Sequence, residues 1–256
     1  MSIETYGTGA RLRIAARLLG EVATDKRLIL LPVPSTRDKK YIKDTDILLE
    51  DTLSGAGADT VAVGYGLPNS YAALAAAAGA KLLDLSRDEE YLLKNASITA
   101  YGALGYILTT DARAPEDLRF GIVGYGRIGS ELSRLLLFLG ARVRVYTSRT
   151  LTRLELGECG METAPSSDIY AGKADFSGID ILINTAPKDM SVCFDDGGLP
   201  RGMRLLELAS GENFAGVSGV ERLPALPERM YPESAGKTYF DAVVRFLKTI
   251  PDNTVL

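Results

Sequence analysis

A chain of 256 residues, 46% hydrophobic and 24% charged, has the composition of a globular protein with enough chain for one large or two small domains and a substantial core. Its net charge of −4 leaves no basic excess to neutralise phosphates, which argues against nucleic acid and anionic membrane as main partners. No apolar run approaches the roughly 18 residues that a membrane-spanning helix needs.

Strand-like and helix-like segments alternate along the chain, which is the α/β pattern. "RLILLPV" (27–33) is a continuous apolar run closed by Pro34 and reads as a buried parallel strand. "TVAVGY" (60–65) is a second, ending in the turn "GLPNS", where Asn69 is placed to cap an alanine-rich helix that stops near Gly79. "KLLDL" (81–85) is a third strand, and "RDEEYLLKNAS" after it a short helix with an acidic start. "SITAYGALGYILTT" (97–110), apolar and rich in small residues, predicts a separate buried helix packed closely against a neighbour. Past the nucleotide motif described below, "GIDILINTAP" (178–187) and "RLLELAS" (204–210) are strands followed by loops, and "RLPALP" (222–227) reads as a last short strand. "SAGKTYFDAVVRFLKTI" (234–250) is an amphipathic helix. These elements predict two parallel-sheet α/β domains, Rossmann-like and flavodoxin-like, with a cleft between them. The expected domains are 1–96 plus 236–256 for substrate and 97–235 for the nucleotide.

The N-terminus lacks a basic start, an apolar run and a small-residue cleavage site, so a cytoplasmic location is expected. Cys159 and Cys193 have no motif spacing, and the chain contains no histidine, so no metal site is expected. Both thiols read as buried or idle.

The segment 119–150, "RFGIVGYGRIGSELSRLLLFLGARVRVYTSRT", carries the chemistry. Gly124, Tyr125, Gly126, Arg127, Ile128 and Gly129 match G-x-G-x-x-G between a strand and a helix, and a second strand follows. Gly124 permits the tight turn, Gly126 lets backbone amides approach a pyrophosphate, and Gly129 lets the helix pack on the strand. The helix N-terminus adds partial positive charge. An acid about 20 residues on would hold the ribose hydroxyl of NAD. Thr147, Ser148 and Arg149 stand there instead, with Arg153 nearby, so the sequence favours NADP(H). The competing reading of Arg149 is a solvated surface arginine. Asn184, Thr185, Ala186 and Pro187 follow a strand end and are candidates for the cofactor ribose and pocket wall, against an ordinary strand-end turn. Ser35 and Thr36 follow another strand end and are candidates for a substrate carboxylate, or else a capping turn. Tyr65 and Gly66 lie in a turn assigned to the same cleft.

The order of "ITAYGALGYIL", the glycine loop, "INTAP", "ELAS" and "YPESAGKT" resembles the cofactor half of D-2-hydroxyacid dehydrogenases. That resemblance places Ser210 or Gly211 where that family has an arginine, and Glu233 where it has a histidine. The ordinary 2-hydroxyacid reaction is therefore not expected. "LLPVPST", "GYGLPNSYA", "NASITAYGA", "GIDILINTAP", "LELAS" and "YPESAGKT" resemble, over about residues 10–248, the A-subunit family of dipicolinate synthase. The chain differs in reading one strand–helix portion short ahead of "RLILLPV", and in carrying Thr99-Ala100-Tyr101-Gly102 where the family has Thr-Ala-Glu-Gly.

The resemblance implies NADP(H)-dependent oxidation–reduction of a cyclic dihydropyridine dicarboxylate, dipicolinate synthesis in sporulating bacteria, and a flavoprotein-like second subunit (the B-subunit) for a partner. It makes Thr99, Tyr101 and Glu233 the catalytic candidates: a phenol in reach of a reacting atom can relay a proton, against an aromatic packed between domains, and burial would lift a glutamate into a useful range, against an exposed carboxylate at a helix start near Ser234. Ser210 and Ser234, beside the arginine-like and histidine-like positions, join the substrate candidates. Lys237 is placed to pair with Glu233 at i,i+4. The small-residue helix resembles one that joins subunits in the dehydrogenases, which implies a homodimer, against small residues that only pack the two domains together. The alternative is a nucleotide-binding relative that has lost catalysis and serves as a regulatory or partner subunit.

Overall fold

The computed structural model describes residues 2–194 and 198–250, which divide into two compact units, Met1–Asn95 with Pro227–Leu256 and Ala96–Leu226. The chain returns to the first unit at Pro227, ahead of the 236 read from sequence, and residues 251–256 lie outside the described residues.

Unit 1 holds β1 (Ser2–Thr5), α1 (Ala10–Leu19), β2 (Arg27–Leu30), α2 (Leu49–Ser54), β3 (Thr60–Gly64), α3 (Asn69–Ala77) and β4 (Lys81–Asp84). Its four strands are parallel in the order β1-β2-β3-β4. Because strand side chains alternate between faces, each apolar run buries two faces at once. Leu28, Leu30, Val61 and Val63 face Leu12, Ala15 and Leu19 of α1, whereas Ile29, Leu31 and Ala62 face Leu49 and Leu53 of α2 and Ala75 of α3.

The chain steps the same way across the sheet from β1 to β2, β3 and β4, yet α1 covers one face and α2 and α3 the other. The α1 connection therefore has the opposite hand to the other two. Parallel crossovers are right-handed in about 98% of cases, which makes β1-α1-β2 the left-handed exception. In the flavodoxin-like order the chain first steps outward to a strand beyond β1 and then crosses back, so α1 sits on its face with normal handedness. Without that outer strand and its return helix, the arrangement seen here results. This gives a physical form to the strand–helix portion that the resemblance expects ahead of "RLILLPV".

One helix, α4 (Glu89–Thr110), replaces the two expected between 86 and 110. Lys94, which interrupts the apolar pattern, pairs with Glu90 at i,i+4 and with Asp241, so the polar break stays helical. Asn69 does not cap α3: Pro68 holds that position, and the Asn69 carboxamide accepts from Arg87. Both are corrections to the sequence reading.

Unit 2 contains β5 (Arg119–Val123), α5 (Arg127–Phe138), β6 (Arg142–Thr147), α6 (Thr150–Glu158), β7 (Glu162–Pro165), α7 (Ser166–Tyr170), β8 (Ile181–Asn184), β9 (Arg204–Glu207) and β10 (Val220–Arg222). The final strand thus lies ahead of the "RLPALP" segment expected to form it. Two helices follow, α8 (Leu226–Met230) and α9 (Pro232–Leu247). The six strands are parallel in the order β10-β9-β8-β5-β6-β7. Strand order reverses at β5, between β6 on one side and β8 on the other, and ligands of open α/β sheets bind beyond the strand ends at such a point. Ala100, Ala103 and Ile107 of α4 bury against Phe120, Ile122, Leu132 and Leu136 of β5 and α5, so the small residues of α4 pack the unit's own core.

The "SAGK" segment also has a packing role. Gly236 on α9 lies against α1, and a Cβ there would collide with Ile14. Tyr239, fully buried, donates to the carbonyls of Leu31 and Val63 at 3.1 and 3.2 Å and ties α9 to β2 and β3. Among the described residues no helix is long and apolar enough to cross a membrane.

Candidate nucleotide-binding site

The glycine corner stands at the end of β5, at the switch point of the sheet. Gly124 has φ +92°, in the left-handed region that a Cβ disfavours, and its backbone N–H donates to the Tyr146 carbonyl at 2.9 Å. Gly129 is fixed by contact, since a Cβ there would strike the Gly124 carbonyl and come within 3.0 Å of Thr185 Oγ1. Gly126, the cap of α5, is the opposite case. It is exposed, a Cβ would meet nothing within 4 Å, and no side chain caps the helix. The arrangement leaves room for an anion at a helix N-terminus and therefore fits a dinucleotide pyrophosphate. Ile128 is half-buried and Arg127 exposed on the first turn of α5. Tyr125 is half-buried, and burial raises its phenol pKa, with Cys159 and Glu155 adding to the shift.

The end of β6 carries Thr147, Ser148 and Arg149, which the sequence reading places on the ribose side. Thr147 is buried and accepts weakly from the Arg149 amide at 3.4 Å. Ser148 and Arg149 are exposed, and the Arg149 guanidinium has no hydrogen bond or ion pair with any described residue. Arg153 reaches back, donating to the Thr147 carbonyl at 2.9 Å and to Thr150 Oγ1 at 3.1 Å. The turn thus offers one untied guanidinium and one braced by the backbone, and residues 147–153 include no carboxylate.

The residues after β8 brace the corner. Asn184 is fully buried: its Oδ1 accepts from the Ala186 amide at 3.0 Å, and its Nδ2 donates to the Ala186 carbonyl at 2.9 Å and to Glu207. The Thr185 hydroxyl donates to the Val123 carbonyl at 2.8 Å. The Thr185 hydroxyl is thus engaged at the glycine turn, and Asn184 with Ala186 and Glu207. Ala186 packs partly on the core, and Pro187 is exposed.

Sequence reasoning missed the group that holds Asn184. Glu207, at the end of β9, is 5% exposed and accepts from Asn184 Nδ2, Asn213 Nδ2 and the Ala209 amide, with no cation in ion-pair contact among the described residues. Its only mark in the sequence was its place inside the quoted "ELAS". Burial lifts its carboxyl above the ordinary 4.5, although these hydrogen bonds oppose the shift. A carboxyl whose pKa is higher folded than unfolded binds its proton more tightly in the fold. Its contribution to stability is then largest below the ordinary carboxylate range, falls as pH rises through that range to the raised folded value, and is flat above. We expect Glu207→Gln to lack this slope. Urea midpoints compared between about pH 4 and pH 7 should move against the natural protein as pH rises, and parallel profiles would contradict the shift.

The catalytic candidates do not form a cluster within either unit. Thr99 is buried on α4, and Tyr101 on the same helix is 44% exposed. Glu233, in unit 1, is exposed on α9 and pairs with exposed Arg17 at 3.0 Å. Of the two readings, the exposed carboxylate at a helix start is the one seen, because α9 turns its other face, with Ala235 and Gly236, to α1. Lys237 pairs with Asp241 rather than Glu233. Ser210 is exposed in unit 2, its carbonyl accepting from Asn213, and Ser234 is exposed on α9.

In unit 1, the buried Ser35 hydroxyl accepts from the Tyr65 amide at 2.7 Å and donates to the Pro32 carbonyl at 2.9 Å, so it already has partners. The Gly66 amide donates to Asp84 at 2.9 Å. Thr36 does line a pocket of about 430 Å³, with Arg37 and Lys43 on one hand and Asp44 and Asp46 on the other. Among the described residues no group of acidic or sulfur side chains is arranged to hold a metal. Cys159 is exposed and Cys193 half-buried; its expected idleness holds only in part, since the Cys193 thiol donates to the Ile169 carbonyl at 2.7 Å.

Two parallel α/β units, one with a glycine corner at its switch point, make a fold shared with solved structures of an L-alanine dehydrogenase and a D-lactate dehydrogenase. The chain is also similar to the A-subunit of dipicolinate synthase: 21% identity and a TM-score of 0.76 to the structure from Bacillus subtilis, over 97% of this chain and 96% of that one. The structure from Bacillus halodurans gives 21% and 0.75 over 98% of each chain. The transhydrogenase from Sinorhizobium meliloti follows at 16% and 0.61, over 97% of this chain and 94% of that one. At these identities the likeness establishes the fold. No family model matches the sequence, and no curated protein sequence matches it.

Proposed function

We propose that the protein is an NADP(H)-dependent oxidoreductase acting on a small cyclic dicarboxylate, the kind of reaction that its resemblance to the dipicolinate synthase A-subunit implies, in sporulation. The observation that carries the cofactor reading is the acid-free turn 147–153 with its untied Arg149 beside a bare glycine corner. A bound nicotinamide supplies hydride transfer. The chain supplies position: the Gly126 backbone and α5 N-terminus receive the pyrophosphate, Thr147 and Ser148 offer hydroxyls to the ribose, and Arg149 meets the 2′-phosphate. Asn184, Thr185 and Glu207 keep that corner rigid. Tyr101 is the polar group on α4 available for a proton. Homodimerisation, a flavoprotein-like second subunit and a cytoplasmic setting belong to the same reading.

A second reading, an NADP-binding protein without catalysis of its own that serves a partner, is favoured by the surface ion pair that engages Glu233. Fluorescence titration with NADPH and NADH, followed by turnover assays on cyclic dicarboxylates with and without a flavoprotein partner, separates the two. Tight NADPH binding with turnover supports the first and tight binding alone the second. Binding of neither nucleotide would remove both.

A further inference from the structure

The amino end of the unit 1 sheet holds a cavity that the nucleotide reading does not use. The chain enters β2 at Arg27, so Lys26 stands at the end of that parallel sheet opposite to Ser35, Tyr65 and Gly66, which follow the strands' carboxyl ends. Where the segment after α1 meets the last turn of α9, a pocket of about 220 Å³ opens. Val22, Ala23, Val244, Leu247 and Ile250 make its apolar walls, and Thr24, Lys26 and Lys248 its polar ones. Val22, Val244, Leu247 and Ile250 pack on the unit 1 core while staying only partly buried. They therefore keep apolar surface in water that a ligand would cover.

Lys26 is the unusual group. Its side chain is 8% exposed, and lysines are seldom buried without a partner, because an ammonium taken out of water must regain its bonds. Among the described residues one acceptor is in reach: Asp25, at 3.4 Å, its carboxylate half exposed to solvent. The C-terminal ends of α1 and α9 favour a cation nearby, yet the Lys26 ammonium donates to no described carbonyl of either helix. The Thr24 hydroxyl accepts from the Lys26 amide at 3.2 Å, which leaves its proton for another acceptor. Lys248 is exposed, and its ammonium has no hydrogen bond or ion pair with any described residue.

An apolar hollow floored by the core, lined by two ammonium groups and a hydroxyl and by no carboxylate, is complementary to one negative charge on a compact apolar body. A cavity of about 150 Å³ takes benzene, so this one has room for a ring and a carboxylate. We propose that the pocket binds a small monocarboxylate, its carboxylate on Lys26 and Thr24 and its apolar body on Val244 and Leu247. A second carboxylate would have to lie against the apolar wall, which sets this ligand apart from a dicarboxylate. The inference goes beyond the oxidoreductase reading and needs neither nucleotide nor turnover.

The test is a titration of the full chain, without nucleotide, followed by amide chemical shifts. The probe is benzoate, with benzyl alcohol as its uncharged counterpart and pyridine-2,6-dicarboxylate as a doubly charged one. Benzoate should move the amides of 22–26 and 244–250 and leave those of 124–129 in place. It should bind at least about tenfold more tightly than either other probe, since a charge-assisted bond to a buried ammonium is at stake. Lys26→Met keeps the length and the apolar contacts of the side chain; it should weaken benzoate at least about tenfold and leave benzyl alcohol within about twofold. Ala23→Trp fills the pocket from an exposed position and should abolish binding of both. Shifts absent from 22–26 and 244–250, benzyl alcohol or the dicarboxylate bound as tightly as benzoate, or benzoate affinity kept in Lys26→Met would each overturn the proposal.

Discussion

Arg149→Glu should cost about 30- to 100-fold in NADPH affinity and leave NADH within about threefold, bringing the two coenzymes near parity. The guanidinium is exposed and engaged with no described residue, so its loss disturbs no internal contact and the fold should be unchanged. What changes is the field at one place. A charge-assisted fork to a doubly negative phosphate is removed and a like charge is put in its stead. Arg153 does not compensate, because its two terminal nitrogens are tied to the Thr147 carbonyl and Thr150. The site is open to solvent, so the selectivity should shrink with salt, and titrations at low and high ionic strength check this. An NADPH-to-NADH ratio unaltered by the substitution would show that Arg149 is the solvated arginine of the competing reading.

Gly129→Ala should abolish binding of both coenzymes and lower stability by about 2–4 kcal/mol. The added methyl would sit on the Gly124 carbonyl, within the turn it helps to close, and its second neighbour, Thr185 Oγ1, is fixed by its bond to Val123. Neither is the free end of a flexible side chain, so α5 must leave β5. Gly126→Ala makes the control. Its methyl meets nothing within 4 Å, so the urea midpoint should hold while coenzyme binding falls, because the space it fills is where the pyrophosphate approaches. If both substitutions destabilise equally, the division of labour between the two glycines is wrong.

By itself the sequence determined the parts whose physics is local. Continuous apolar runs marked the strands buried on both faces, the G-x-G-x-x-G spacing located the corner and its helix, and the residues at 147–153 declared their lack of an acid without reference to anything distant. The tertiary structure decided which polar groups are already engaged and which are left over. Asn184 and Thr185 are already hydrogen-bonded within the protein, Glu207 read as nothing in particular and holds Asn184 from 23 positions away, and Glu233 met Arg17 in solvent 216 positions away. The left-handed α1 connection was equally illegible, since handedness depends on which face a helix covers relative to the strand order. Burial and pairing are properties of two segments at once, and a residue's own neighbours in the chain carry no record of the second.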